Sequence, residues 1–462
     1  MSIEISDMVW NRTAPQRNLS FQGVDMGNGA RRDSSEAKDS AAKGSLLRSF
    51  HFILPPSFFL FFFTTPLLAH GAGFSIFTQG AGPMGVANAT VAHHEGIASI
   101  YYNPALQLEF EGINMEAGVT LLRPAKELES TLTRRTYKSV DNTYTPVHLA
   151  TNYRVSDRLS LAFTLNNSFG LGNEFPDDTI FRYITTESEL TTWDMNPSLA
   201  FQVHDHMAIA VGVRAVSADV TLQQMIPLQS FGLSDGKQSF DADGSGYGWN
   251  IGATYAPFEE LAFGASYRSS VNIDLSGDLS FELPQNRNPL LSTLFPGTSA
   301  DSGFELPGQL FLGIAYKPSV KWVIEAAARF EQYSCYEKLE LRTQLPVAGQ
   351  TSRTLIKDWE DVWGYLFGVS YQSEGGYRFS CGYLFEKTPV PDETFEPGVN
   401  GLDKHTLTIG AAKQFGNITT RISYAHDIYE DRDISNSGTL SVLNGTHSQT
   451  NQSIAFSLSW HI

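Results

Sequence analysis

The chain has 462 residues, 42% hydrophobic, 12% aromatic and 18% charged, with Lys+Arg 32 against Asp+Glu 49 and a formal net charge of -17. That acidity speaks against a nucleic-acid binder, which needs a basic footprint, and the aromatic content speaks against general disorder. With Gly 39, Pro 21 and Cys 2, the composition also excludes a collagen repeat and a disulfide framework.

Residues 53–69 form the one membrane-length apolar run, rich in Phe (Phe58, Phe59, Phe61, Phe62, Phe63) and broken by Pro55, Pro56 and Pro66. Those prolines make it a poor spanning helix. Lys43 and Arg48 precede it, and Ala69, Gly71 and Ala72 follow. Basic, apolar, then small is the order of a secretory signal peptide, with cleavage expected between Ala69 and Ala72. The polar stretch before Lys43 is too long for an ordinary leader and reads as a start codon placed too early, with Met26 as one alternative. Residues 1–71 are therefore assigned to an N-terminal extension and signal peptide that are removed. The remainder holds 25 Lys and Arg against 43 Asp and Glu, so the exported part stays acidic.

Residues 72–112 are rich in small residues (Gly73, Gly80, Gly82, Gly85) and lack strong alternation, which makes them a candidate plug for a wide barrel. From residue 113 to 462, period-two alternation takes over. One face of a segment reads Trp322, Ile324, Ala326, Ala328 and Phe330, and the other Val323, Glu325, Ala327, Arg329 and Glu331. The last segment sets Ile454, Phe456, Leu458 and Trp460 against Ala455, Ser457, Ser459 and His461. Counting such segments gives fourteen: 113–123, 144–154, 159–170, 192–203, 207–219, 246–256, 261–272, 308–317, 321–332, 360–372, 377–386, 403–414, 418–428 and 450–461.

A soluble sandwich would also alternate, but three features favour a membrane barrel. The polar face mixes charge with Gly and Ser. Trp193, Trp249, Trp322, Trp363 and Trp460 fall near predicted strand ends, where an interfacial girdle belongs. The segments run about ten residues, the length of a tilted spanning strand. Short links (155–158, 257–260, 318–320) alternate with long polar ones (124–143, 220–245, 273–307, 333–359), as in outer-membrane barrels. The expected fold is all-β, a 14-stranded antiparallel transmembrane β-barrel plugged by a small N-terminal segment.

Several motifs carry no chemistry. Asp241, Asp243 and Ser245 mimic the start of a calcium loop, yet Gly252 stands where its Glu should. Adjacent His93 and His94, followed by Glu95, read as polarity within the plug rather than a metal site. Cys381 points to the lipid face, so Cys335 and Cys381 are expected as free thiols. No serine elbow or zinc signature occurs, and neither cofactor, metal nor catalytic residue is expected.

Residues 72–462 resemble the FadL-type family of outer-membrane transporters for long-chain fatty acids and other hydrophobic molecules. The likeness rests on Ala72, Gly73 and Phe74, the Gly-rich stretch to Gly85, then Asn103-Pro104-Ala105; on Gly246-Tyr247-Gly248-Trp249-Asn250, Ser266-Tyr267-Arg268-Ser269 and Pro389-Val390-Pro391; and on residues 167–175. It implies that residues 72–112 are a hatch, marked by Phe74, Asn103, Pro104 and Ala105. It further implies that the third strand kinks at Asn167, Gly170 and Leu171 to open the wall sideways. Gln224, Lys357, Glu386 and Lys387 fall near the family's ligand positions. Glu386 shares its predicted lumen face with Arg378, so a ligand contact and a structural ion pair are both open to it. The terminal Ile462 replaces the aromatic residue usual for barrel-assembly signals, although Trp460 and Phe456 keep the pattern.

The implied function is passive uptake of long-chain fatty acids or similar hydrophobic molecules across a Gram-negative outer membrane, without enzymatic activity. Few basic residues match the family's carboxylate contacts, which leaves an aromatic or aliphatic hydrocarbon open as substrate. A general porin, a barrel lipase and an adhesive barrel stand behind these. The implied partners are the hydrophobic substrate, outer-membrane lipid and lipopolysaccharide, and the barrel-assembly machinery, with no nucleic acid.

Overall fold

The computed structural model describes residues 73–284, 289–399 and 401–462. The expected extension and signal peptide lie outside them. Fourteen strands form a closed antiparallel ring: β1 (Ile113–Ser130), β2 (Val147–Ser156), β3 (Leu159–Asn166), β4 (Glu187–His204), β5 (Met207–Ile226), β6 (Gly236–Phe258), β7 (Leu261–Arg268), β8 (Gln309–Ser319), β9 (Trp322–Glu331), β10 (Val362–Gln372), β11 (Tyr377–Glu386), β12 (Lys404–Phe415), β13 (Ile418–Tyr429) and β14 (Gly445–His461). β14 closes on β1, with Asn114 opposite His461 at one end and Ser130 opposite Gly445 at the other.

The alternation is inside out. On β14, Leu458 and Trp460 are 54% and 51% exposed, while Ser457 and Ser459 between them are 5% and 0% exposed. A water-soluble sheet buries its apolar face, so this inversion needs an apolar solvent outside the ring. Two aromatic levels mark that solvent's limits. Trp322 stacks with Tyr371 at 4.7 Å at one end of β9, and Phe330 with Trp363 at 5.0 Å at the other. Eight residues of tilted strand place these pairs about 20 Å apart along the barrel axis, close to the ~25 Å apolar band of an outer-membrane barrel. Trp193 and Trp249 stand mid-strand rather than near ends, because β4 and β6 continue beyond the membrane.

The same continuation corrects the reading of the long polar links as loops. β1 runs on to Ser130, and β5 and β6 stay paired out to Ile226 and Gly236. Val271–Glu282, Thr298–Leu306, Lys338–Val347 and Gln350–Ile356 add further strands to this extension. Polarity there belongs to one face and does not mean a lack of backbone pairing: Val271, Ile273, Leu275 and Leu279 are buried, while Asn272, Asp274 and Ser276 are exposed. The calcium-like Asp241 and Asp243 lie within this sheet, in β6.

Residues 73–112 fold inside the ring. Gly80 and the proline of the short helix α1 (Ala81–Gly85) start a chain of tight turns, followed by 3-10 turns at Ile97–Tyr101 and Pro104–Glu109. Ile97, Tyr101, Tyr102, Asn103 and Leu106 have no exposed surface. Small residues on the wall allow this fit. A Cβ on Gly264 would collide with the Val91 carbonyl, and one on Gly382 with the Val86 backbone. No helix among the described residues is long and apolar enough to cross a membrane.

Candidate functional site

The inner segment is held by bonds to several strands of the wall. Glu325, projecting inward from β9, accepts hydrogen bonds from the backbone N–H groups of Val91 (2.5 Å), Ala92 (2.9 Å) and His93 (3.0 Å). Toward β14 and β12, the Ala81 and Ala87 N–H groups donate to Ser457 Oγ (2.9 Å) and Thr408 Oγ1 (3.0 Å). Asn103 caps the last turn by accepting from Ala105 N at 3.1 Å, with Pro104 at the first position, where no N–H is needed. Its amide also donates to Val91 O (2.7 Å) and to Ala253 O of β6 (3.0 Å), so the Asn-Pro-Ala turn is stitched to the wall.

Phe74 sits in an aromatic nest with Phe169, Tyr333, Tyr336 and Trp359, ring centroids 5.2 to 6.0 Å away. The Tyr333 hydroxyl accepts from both Phe74 N (3.2 Å) and Ser75 N (3.0 Å). His93, His94 and Glu109 form a second inner cluster, with Glu109 Oε2 3.6 Å from His93 Nδ1 and 3.8 Å from His94 Nε2. Burial pushes both imidazoles down to about 3, so they are neutral at ordinary pH. Among the described residues no group of His, Cys, Asp or Glu could hold a metal ion. Cys335 and Cys381 are free thiols, and Cys381 is exposed on the outer face.

The third strand breaks at 167–169. Its pairing with β2 ends at His148 opposite Asn166, and the chain resumes as the short strand Gly170–Glu174 against β4. Side chains and the inner segment take over the broken bonds. Asn167 Oδ1 accepts from Val147 N (2.8 Å), and its Nδ2 donates to Thr192 O (2.7 Å). Ile76 N donates to Ser168 O (3.0 Å), and Gly170 N to Phe74 O (2.8 Å). Ser168 donates to Asp194 at 2.9 Å, and Asp194 is bridged by Arg214 (2.6 Å) and Arg268 (2.7 Å), both buried. Arg268 lies 4.2 Å over the Tyr101 ring, which links this triad to the inner segment.

A cavity of about 400 Å³ passes through the break. Its inner wall is a polar patch of β12, β13 and β14 carrying Thr406, Thr408, Asp427, Asn451 and Ser453. Met84 and Asn88 of the inner segment line it, and Ile76, Phe169, Leu171 and Leu190 form its apolar side. It continues past Gly170, Gly172 and Tyr144 to Thr191 and Trp193, whose strand positions alternate with the inward Leu190, Thr192 and Asp194. Gly172 is required there, because a Cβ would run into the Tyr144 ring. Asn167, Gly170 and Leu171 line this passage, and Phe74 packs behind its Phe169 wall.

The four polar candidates do not gather. Glu386, fully buried, pairs with Arg329 and with Lys404 (2.8 Å), while Arg329 also lies 3.2 Å from Glu331. Arg378 instead meets Glu95 at 2.6 Å. Eight residues of one extended strand hold Arg378 and Glu386 roughly 26 Å apart, too far to pair. Lys357 is buried against Glu396; burial works against its charge, but that carboxylate holds its ammonium above the ordinary lysine value. Gln224 lies opposite Gln238 in the extension outside the membrane, and Lys387 is half-buried just past β11. Sequence reasoning missed Glu325, Asp194, Lys404 and Asp427. An isolated charge in an inward column of small residues, as at Glu325 before Ala327, is the signal that could have found them.

Comparison with known proteins agrees with this geometry. The long-chain fatty acid transport protein of Salmonella typhi is 23% identical over 352 residues, covering 70% of this chain and 80% of that one. A Pseudomonas aeruginosa FadL homologue superposes with a TM-score of 0.76 at 14% identity, covering 84% of this chain and 99% of that one. The Pseudomonas putida toluene transporter TodX gives a TM-score of 0.64 at 18% identity, covering 83% and 98%. The structural likenesses speak for the fold. The family described as outer membrane protein transport protein (OMPP1/FadL/TodX) matches residues 64–458, and this chain, an outer-membrane β-barrel, belongs to it.

Proposed function

We propose that this protein takes hydrophobic small molecules, long-chain fatty acids or hydrocarbons among them, across the outer membrane by passive diffusion, and that it performs no chemistry on them. Residues 72–112 serve as the hatch, with Phe74 anchoring its start and Asn103, Pro104 and Ala105 pinning its end. Asn167, Gly170 and Leu171 frame a lateral exit. The ligand enters from outside, settles against the polar patch and leaves beside Gly172 toward the membrane. Glu386 belongs to an ion cluster that shapes the inner wall. Lipopolysaccharide surrounds the barrel, and the assembly machinery acts during insertion.

The observation that carries this reading is the cavity running from Ser453 to Trp193 through the broken strand. Its volume lies within the range of ligand sites, about 300–1,000 Å³. An acyl chain gains about 0.8 kcal/mol per CH₂ on leaving water, so it favours such a passage over a watery pore. The named relatives are a fatty acid transporter and a toluene transporter, which keeps both substrate types open. The packed inner segment opposes a general polar porin.

The test is transfer of labelled palmitate and toluene in reconstituted vesicles. Gly172→Leu forces the Tyr144 ring aside and crowds the passage with leucine, and should slow transfer about tenfold, which needs only about 1.4 kcal/mol of added barrier. Unchanged transfer with the leucine in place would refute the lateral route.

A further inference from the structure

The charges along the passage do not suit a carboxylate. Lys404 is the only cation lining the cavity among the described residues, and its ammonium is already bonded to Glu386 at 2.8 Å. That cluster sets two cations, Arg329 and Lys404, against two carboxylates, Glu331 and Glu386, and so carries no net charge. Asp427 is different. It projects inward into the cavity from β13, in one row with Thr406 and Asn451. Thr406 Oγ1 donates to its Oδ1 at 2.6 Å, and Asn451 Nδ2 to its Oδ2 at 3.3 Å. The cation whose charge reaches it is Lys404, which Glu386 already holds, so with Asp427 counted three carboxylates share two cations. A carboxylate offers about four acceptor sites, so both Asp427 oxygens can take a further donor. Glu189, at the membrane end of the same cavity, has no cation beside it among the described residues.

We propose that Asp427 sets the specificity of this passage, favouring an apolar tail with a neutral hydrogen-bond-donating head, an aliphatic alcohol or alkylphenol, over a fatty acid anion. The inference rests on the passage reading above and names its substrate class. The hydroxyl donates to Asp427, while the tail lies along Ile76, Leu171 and Leu190. A carboxylate head in the same place meets a cluster in which three carboxylates already share two cations, and burial magnifies that repulsion.

The test uses the full-length purified protein in neutral detergent, with the uncharged fluorescent probe N-phenyl-1-naphthylamine. It is displaced by 1-dodecanol, dodecanoate or dodecane at about pH 8, where the acid is ionised. Dodecanol should displace the probe at a concentration about tenfold lower than dodecanoate, the scale of one hydrogen bond to a charged group. Asp427→Asn should bring the two within about threefold, and Asp427→Glu should retain the preference for the alcohol. Heat-modifiable migration on gels checks that each variant is a folded barrel. Dodecanoate binding as well as dodecanol, or a preference unchanged in Asp427→Asn, would overturn the assignment to Asp427 while leaving the passage intact. Failure of all three compounds to displace the probe would overturn the passage reading itself, and this inference with it.

Discussion

Two arcs of the same wall solve opposite problems. From β9 to β12 the registers run unbroken, and β10 pairs with β11 from Gly364–Glu386 to Gln372–Arg378 without a bulge. Across β1 to β4, pairing between the second and third strands stops at His148–Asn166. In a membrane, a broken wall strand exposes N–H and C=O groups that lipid cannot satisfy. Here the Asn167 side chain, the Thr192 hydroxyl and the backbone at Phe74 and Ile76 supply the missing partners. A barrel can therefore hold an opening in its side if a second piece of chain, folded inside it, completes the hydrogen bonding. The closed arc carries the complementary duty: Glu325, Thr408 and the close-approach glycines hold that second piece in place.

The comparison breaks most completely if the inner piece is removed. Deletion of residues 72–112 should turn a closed barrel into a steadily conducting one in planar bilayers; an unaltered low conductance would contradict the plug. Next in size is Asn167→Leu, which leaves Val147 N and Thr192 O without partners. At about 1–3 kcal/mol per orphaned buried group, it should destabilise the barrel by about 2–4 kcal/mol in urea unfolding from lipid, mostly in the open arc. A loss below about 0.5 kcal/mol would mean that water already reaches the break.

Glu325→Ala acts on the closed arc. It removes the acceptor of three N–H groups and should cut amide protection at 91–93 by about 2–3 kcal/mol in hydrogen exchange, with barrel melting little changed. Glu325→Gln keeps one acceptor oxygen and should lose less. The smallest effect is on pH. The imidazoles of His93 and His94, held down to about 3, bind protons more weakly folded than unfolded. Their contribution is complete above the unfolded value near 6.5 and declines as pH falls from there toward about 3. Protection from exchange at residues 89–97, relative to the intrinsic rate at each pH, should therefore fall below about pH 6 before that of the strands. Equal sensitivity in His93→Phe, His94→Phe would assign the acid response to other groups.

The strand plan was legible with good fidelity because its signal is local. The reading of 377–386 matches β11 residue for residue, and the segment read at 418–428 lies within one residue of β13. The break near Asn167 was readable through family resemblance, with Gly170 as its physical hint. The extension strands were masked by their polar residues, although Val271–Glu282 keeps a period of two, with Val271, Ile273, Leu275 and Leu279 buried and Asn272, Asp274 and Ser276 exposed. Glu386 shows the other limit. Arg378 shares its strand and face, but its partners come from the neighbouring β12 and from β9, two strands away on the other side.

The amino-acid sequence by itself determined the number of wall strands, their outward faces and the presence of a segment unlike them. Each of those is written within ten or so residues, in a period of two that any sheet must obey. Only the tertiary structure decided which groups complete the broken strand's hydrogen bonding and which charges meet, as Lys404 meets both Glu386 and Asp427. Those depend on ring closure and inter-strand register, which bring residues hundreds of positions apart to within hydrogen-bonding distance, as at Ser75 and Tyr333.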